Sequence, residues 1–215
     1  MLEQFRCFSS LTEEYLGRLQ AISRPISVQK GTILFAPGDE SHGFYAVSSG
    51  AVRLYRVSRA GKEITLAIAD AGNTFAEASI FSDIYHCYAE ALKDSTLSII
   101  KKTDFLEMLR SDALFACTWI EFLSLEVINL RQRIEELSIK TPKARIISYI
   151  LLLSEIQSSD SVTLPAHRKS IATLLGMTHE TFYRAAKELE IEGLVRFDGQ
   201  RIEIVNRTML EKFVE

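Results

Sequence analysis

Between Asp104 and Leu137 the chain runs without a glycine or a proline, and no other stretch restricts the fold so strongly. Its length and apolar periodicity predict one long helix. Ala116, Ile120, Leu123, Val127, Leu130, Ile134 and Leu137 alternate spacings of four and three residues, a heptad seam sustained over three repeats. Such a seam predicts burial against a second copy of the same helix. A further stripe of Phe115, Trp119, Phe122 and Leu125 lies on a neighbouring face. Two apolar faces need two partners. The first is therefore expected to form a homodimer and the second to cover a domain of the same chain, the alternative being a helix packed wholly within its own chain.

The region before this helix has a different grain. Leu11, Tyr15, Leu16 and Leu19 stand at helical spacing, which predicts a short amphipathic helix over residues 11–22, a lid on the region C-terminal to it. From Pro25 to about Ile100 short alternating runs are punctuated by Gly31, Pro37-Gly38, Gly43, Gly50, Gly61 and Gly72, the pattern of an all-β sandwich or barrel. Val52, Leu54, Tyr55 and Val57 lead into a turn around Arg59-Ala60-Gly61-Lys62, and Ile64, Leu66 and Ile68 lead out, as in a hairpin. At Thr141-Pro142 the helical pattern stops, because the residue before a proline disfavours α geometry, and a domain boundary and hinge are expected there. Beyond it the chain reads as a helix over 143–156, a polar loop, a short strand at Val162–Leu164, two helices, and a hairpin around Asp198-Gly199.

The 215 residues, 47% hydrophobic and 25% charged, suffice for two domains with cores of their own. The longest apolar runs, such as Ile146–Leu153 with only Ser148 within it, fall short of the roughly 20 residues that span a bilayer. No membrane segment is expected. Glu3, Glu13 and Glu14 lie among the first apolar residues, so these do not read as a secretory signal, and a cytoplasmic protein is expected. Cys7, Cys87 and Cys117 are far apart, without CxxC spacing, and read as free buried thiols rather than as a zinc site or disulfide framework. Residues 1–141 hold 15 Lys and Arg against 18 Asp and Glu, and residues 142–215 hold 10 against 10. The second part can attract phosphates only through a local basic face. There is no GxSxG elbow and no HExxH, and nothing in the sequence reads as an enzyme.

Residues 168–187, RKSIATLLGMTHETFYRAAK, fit a helix-turn-helix. Ala172 is the small residue at the helix crossing, and Gly176 stands where the turn needs a positive φ. Ile171, Leu175, Met177, Phe182 and Ala185 fall on the buried side, and Thr178 is suited to cap the second helix. Thr178, His179, Glu180, Tyr183, Arg184 and Lys187 are left facing outward, where such a helix meets base edges in the major groove. Arg pairs with guanine O6 and N7 and Glu accepts from cytosine N4, so Glu180 and Arg184, one turn apart, make a chemically sensible G·C reader. A surface salt bridge between them is the alternative. Tyr183 and Lys187 are expected on phosphates, with Arg168 and Lys169 also at the DNA surface, and GLVRFDGQRIEIV reads as a β-wing.

These residues carry a resemblance. From about residue 5 to its end the chain is similar to the cAMP-receptor/FNR superfamily of bacterial transcription regulators. The likeness lies in Lys30-Gly31-Thr32-Ile33-Leu34-Phe35-Ala36-Pro37-Gly38-Asp39, in Phe44 to Val52, and in His179-Glu180-Thr181-Phe182-Tyr183-Arg184 together with Leu189 and Gly193-Leu194-Val195. It implies an α+β fold: an N-terminal β-roll (a cupin-like double-stranded β structure) over residues 1–103 as sensor domain, a dimerisation helix over 104–140, and a C-terminal winged helix-turn-helix over 141–215. It also implies a homodimer on a double-stranded DNA palindrome, RNA polymerase as a partner, and a small effector in the crevice between β-roll and long helix. Phe75, Glu77, Phe81, Trp119 and Phe122 would line that crevice.

Departures from the family bear on the effector. Members that bind cAMP have Gly-Glu-Leu followed some ten residues later by Arg-Ser or Arg-Thr. Here Ala76-Glu77-Ala78 is followed by no lysine or arginine before Lys93, a site unsuited to a cyclic phosphate. Three scattered cysteines cannot hold the four-cysteine iron–sulfur cluster of the oxygen sensors. Asn73 to Ala78 with Phe81 and Asp83, and Arg131 to Ser138, resemble the DNR branch of nitric-oxide-responsive regulators, which implies haem in the crevice. His42, His86, Cys87 and Met108 are the groups available as ligands, none in a recognised haem motif, and a non-haem apolar or redox effector is the alternative. A nucleotide-binding regulatory subunit is a further one. His179 stands where many cAMP-responsive members have Arg, and Tyr183 where the oxygen sensors have Ser. The retained Glu-x-x-x-Arg pair implies a TGA-like core within an inverted repeat.

Overall fold

The computed structural model describes Phe5, Phe8 and residues 11–214; Glu3 and Cys7 lie outside the described residues. The chain divides into two compact units, Met1–Val57 with Leu66–Asn129, and Ser58–Thr65 with Leu130–Glu215.

The first unit opens with α1 (Glu13–Ala21), capped by the Thr12 hydroxyl, which accepts from the Tyr15 amide. Eight strands come next: β1 (Ser23–Val28), β2 (Ile33–Phe35), β3 (Gly43–Ser49), β4 (Ala51–Val57), β5 (Glu63–Asp70), β6 (Thr74–Phe75), β7 (Tyr88–Ala91) and β8 (Ser95–Lys101). They form two four-stranded sheets, ordered β1-β8-β3-β6 and β2-β7-β4-β5. The alternation along β3 explains why this strand is buried on both faces. Tyr45 and Val47 join Phe35, Phe75, Tyr85 and Leu97 in a core between the sheets, whereas Phe44 and Ala46 point the other way, toward helices. Two facing sheets are what the glycine-punctuated pattern predicts, and their arrangement is the β-roll that the resemblance implies.

Two helices then stand where one was expected: α2 (Lys102–Ser111) and α3 (Ala113–Ile139). Asp112, in extended conformation, separates them. Its carboxylate accepts from the Phe115 amide at 3.0 Å, from the Tyr15 hydroxyl at 3.0 Å and from Arg18 at 3.1 Å. As N-cap acceptor for the second helix, Asp112 takes the extended geometry that ends the first. Phe105 and Met108 of α2 and Phe115 and Trp119 of α3 bury with Leu19, Phe44, Ile80 and Ile100 in a second core, which Phe122 flanks. Leu125, expected in the same stripe, is 60% exposed. α3 has an 18-residue window of mean hydropathy 1.5, so by length and composition it could cross a membrane. No uninterrupted apolar run signals this, because Glu121 and Glu126 break the helix into shorter ones.

In the second unit the end of α3 meets α4 (Pro142–Gln157), which has Pro142 in its first turn and Thr141 as N-cap, accepting from the Ala144 amide at 3.2 Å. Then come β9 (Ser161–Thr163), α5 (Arg168–Leu174), α6 (His179–Ile191), β10 (Val195–Asp198), β11 (Arg201–Ile204) and α7 (Arg207–Val214), the last not foreseen in the sequence. Ile146, Ile147 and Ile150 of α4 are buried, as are Ile171 and Ala172 of α5 and Phe182, Ala185 and Leu189 of α6. The wing is a three-stranded sheet ordered β10-β11-β9.

Candidate functional site

The outward face of α6 is built by three local decisions. Gly176 takes φ +64° in the turn, where an added Cβ would lie 2.9 Å from Leu137 Cδ2 and 3.1 Å from Arg145 Nη1. A side chain is therefore strained by conformation there and would have to displace the ends of the Leu137 and Arg145 side chains. Thr178 begins α6 in extended geometry, its hydroxyl accepting from the Thr181 amide at 3.2 Å. Phe182, Ala185, Ala186 and Leu189 then turn one stripe inward.

What remains outside is Thr178, His179, Glu180, Tyr183, Arg184 and Lys187, all exposed and gathered on one face. The His179 and Tyr183 rings meet edge to face, 4.5 Å apart. Among the described residues no ion pair joins Glu180 to Arg184, so the salt-bridge alternative is not the observed arrangement. The Glu180 carboxyl is held below the usual carboxylate range by its own backbone amide and the Thr178 hydroxyl, with His179 adding to the effect, and it is an acceptor at neutral pH. Arg168 has other partners: it donates to the Gly199 carbonyl at 2.9 Å and lies over the Phe197 ring at 4.9 Å, bracing the wing turn. Arg168 is half-buried in this position, whereas Lys169 next to it is exposed.

The residues expected to line an effector crevice do not converge. Phe75 belongs to the core between the sheets, stacked on Tyr45 at 4.9 Å. Trp119 lies in the other core, against Phe105 at 4.7 Å, Phe122 at 5.1 Å and Phe44 at 5.4 Å. Phe81 is 73% exposed. Of the expected lining only Trp119 and Phe122 touch one another; Phe75 packs into the core between the sheets and Phe81 lies in solvent. Glu77 is half-buried in the single turn at Glu77–Ser79. Burial pushes its carboxyl up, against a hydrogen bond from Thr74, and Glu126 of α3 pushes it further.

The candidate haem ligands are likewise scattered. His42 and His86 are exposed, Met108 is inside the aromatic core, and Cys87 is half-buried with its thiol pushed up by burial. Cys117, expected to be buried, is exposed on α3. His42 borders an open groove of about 460 Å³ with Arg24, Glu40, Ser41, Ile99, Lys101, Lys102 and Thr103, which no signal in the sequence singles out. Among the described residues no group of three or more His, Cys, Asp or Glu is placed to hold a metal ion, and these four candidate ligands are not brought together at one site.

Comparison with known proteins agrees with this division of labour. Residues 25–112 match the cyclic nucleotide-binding domain family and residues 144–213 the Crp-like helix-turn-helix domain family. The chain is 27% identical over 207 residues to the "Probable transcriptional regulator flp" of Lacticaseibacillus casei, covering 96% of this chain and 94% of that one. The structure of FixK2 from Bradyrhizobium japonicum shares the fold with a TM-score of 0.81 at 24% identity, over 89% of this chain and 96% of that one. DNR from Pseudomonas aeruginosa is 31% identical over 99% of this chain and 96% of its own, with a TM-score of 0.54.

Proposed function

Since the chain belongs to the CRP/FNR family of DNA-binding transcription regulators, we propose that it acts as a homodimer whose two α6 helices read the half-sites of an inverted repeat under control of a small effector. The observation that carries this reading is the presentation of Glu180 and Arg184, not paired with each other, one turn apart on a capped, exposed helix. Each finds a complementary base edge in a G·C pair, as in a TGA-like core. Lys169, Tyr183 and Lys187 supply phosphate contacts that fix register without reading sequence. Two-fold symmetry of the dimer places half-sites one helical turn apart.

The seam Ala116, Ile120, Leu123, Val127, Leu130, Ile134 and Leu137 supports the dimer. Ile120, Val127, Leu130 and Ile134 are each about half exposed or more in one chain, an apolar line that a second copy covers. A seam of this period also accounts for the apolar character of α3 without a bilayer. RNA polymerase is the partner such a regulator recruits or blocks, and the cytoplasm is where it meets DNA. Residues 1–103, 104–140 and 141–215 are the proposed sensor, dimerisation and reading parts.

Glu180→Ala and Arg184→Ala are each expected to cost about 1–3 kcal/mol of discrimination between a palindrome with TGA-type half-sites and the same duplex with those bases exchanged. Fluorescence anisotropy on both duplexes measures it. Two variants as selective as wild type would remove α6 as the reader.

The finer reading, a haem-based sensor of nitric oxide, is favoured by the 31% identity to DNR. Among this chain's described residues it needs one of His42, His86, Cys87 or Met108 brought to a cavity that they do not now share. An anaerobic haem titration followed by absorbance, then exposure to nitric oxide, tests it. Saturation near one haem per chain with a nitrosyl band and switched-on palindrome binding supports the reading; absence of a saturable spectrum leaves a non-haem apolar or redox effector.

A further inference from the structure

We infer that Arg133 at the end of α3 and Arg145 on α4 are positioning residues for DNA reading: their guanidinium groups complete the C-terminal cap of α5 and hold the turn from which α6 starts. The inference rests on α6 being the reading helix.

The carbonyls at the end of α5 can be accounted for one by one. Backbone amides fill the first three, Leu175 to Ile171 at 2.9 Å, Met177 to Ala172 at 3.0 Å and Gly176 to Thr173 at 3.2 Å. The last two of these form the paired bonds that close a helix on a left-handed glycine. Among the described residues the carbonyls of Leu174 and Leu175 get no such amide, and it is these two that the arginines take. Arg133 Nη2 donates to Leu174 O at 3.1 Å, and Arg145 Nη1 donates to Leu175 O at 2.6 Å with Gly176 O at 3.4 Å. Two cations from two other helices thus sit at the negative end of α5, where the helix dipole favours them.

Their placement is demanding. Arg145 Nε is buried without a hydrogen-bond partner among the described residues, and Arg133 is half-buried, with burial lowering its pKa. An arginine serving only as surface charge would not sit where solvation is lost. Each guanidinium grips the turn through one terminal nitrogen, Arg133 through Nη2 and Arg145 through Nη1, reaching further than a lysine ammonium on its shorter stem. Lys140 adds a staple across the Thr141-Pro142 junction, with Nζ 2.7 Å from Glu136 Oε1 and 2.9 Å from Ser148 Oγ. The last turns of α3, the start of α4 and the turn before α6 therefore form one frame. Arg133 stands between Leu130, Ile134 and Leu137 of the seam, so a change in the pairing of α3 alters the carbonyl grip on the turn.

The test uses the full chain and a duplex enriched by the wild-type protein from a randomised library. Affinities for that duplex and for a random-sequence duplex are measured on Arg133→Met, Arg145→Met, Arg133→Lys and Arg145→Lys, with circular dichroism melts to establish folding. Positioning predicts that the specific-to-random ratio falls by at least about tenfold in the methionine variants and by less in the lysine variants, while random-sequence binding, governed by phosphate contacts, stays within about twofold. A role in stability alone lowers both affinities in proportion to the folded fraction and leaves the ratio unchanged. That result, or folded variants with a wild-type ratio, overturns the inference. Should the methionine variants not fold, the lysine variants decide on the same ratio. Arg184→Ala, with the clamp intact, must also lose the ratio; if it does not, or if wild type enriches no sequence, the failure lies with α6 as reader and the inference falls with it.

Discussion

Glu77 shows what a single residue's surroundings add to its identity. Its carboxyl is pushed up chiefly by burial, opposed by the Thr74 hydroxyl and by its own amide, and raised further by Glu126. A carboxyl raised in the folded state resists ionisation there, so the folded form is penalised at neutral pH and relieved as pH falls toward the ordinary glutamate range, near about 4.3. Glu77→Gln is therefore expected to melt at a higher temperature than wild type at pH 8, with the gap closing by about pH 4. A wild type that is the more stable at pH 8 would show that the charge is compensated. Nothing in the sequence around Glu77 announces this, because the charge that raises it further, Glu126, belongs to α3, far along the chain. Thr178, Glu180 and Arg184 are legible for the opposite reason: helix period and cap chemistry are local, and local rules place an outward face without knowledge of the rest.

Among the elements, the joint between α2 and α3 departs most from the sequence pattern. Without glycine or proline the stretch reads as one helix, yet Ser111-Asp112 is a cap signal, and what makes it effective is α1, whose Tyr15 lies 97 residues away in sequence. The Asp112 carboxyl is held below its usual range, first by the Phe115 amide and then by Tyr15 and Arg18. A depressed pKa means stability that is present above the ordinary aspartate value of about 3.9 and lost as pH falls through the folded one. Asp112→Ala should unfold at lower urea than wild type at pH 7, and the difference should shrink as pH is taken below about 4. A gap independent of pH would assign the effect to helix propensity instead. The helix-turn-helix elements, by contrast, are readable to within a residue or two, since Ala172, Gly176 and Thr178 each answer a backbone requirement that few residue types meet.

At the scale of the whole molecule the proposed function makes the seam on α3 the link between dimerisation and DNA reading. Leu130→Asp with Ile134→Asp is expected to yield monomers by analytical ultracentrifugation and to abolish palindrome binding, because a heptad seam does not close over buried carboxylates. A dimer that still binds would remove the seam from the interface. The order of parts is written in the residues alone: a glycine-punctuated β region, a heptad helix, a capped helix-turn-helix with a wing. Periodicity and turn chemistry are properties of neighbouring residues, and they survive without a tertiary context. It took tertiary packing to send Phe75 and Trp119 into two different cores, to leave Phe81 and Leu125 in solvent, and to bring Arg133 and Arg145 to the end of α5. Which apolar face a side chain joins, and which carbonyl a long cation reaches, depends on where distant strands and helices stack, and no pattern of near neighbours carries that information.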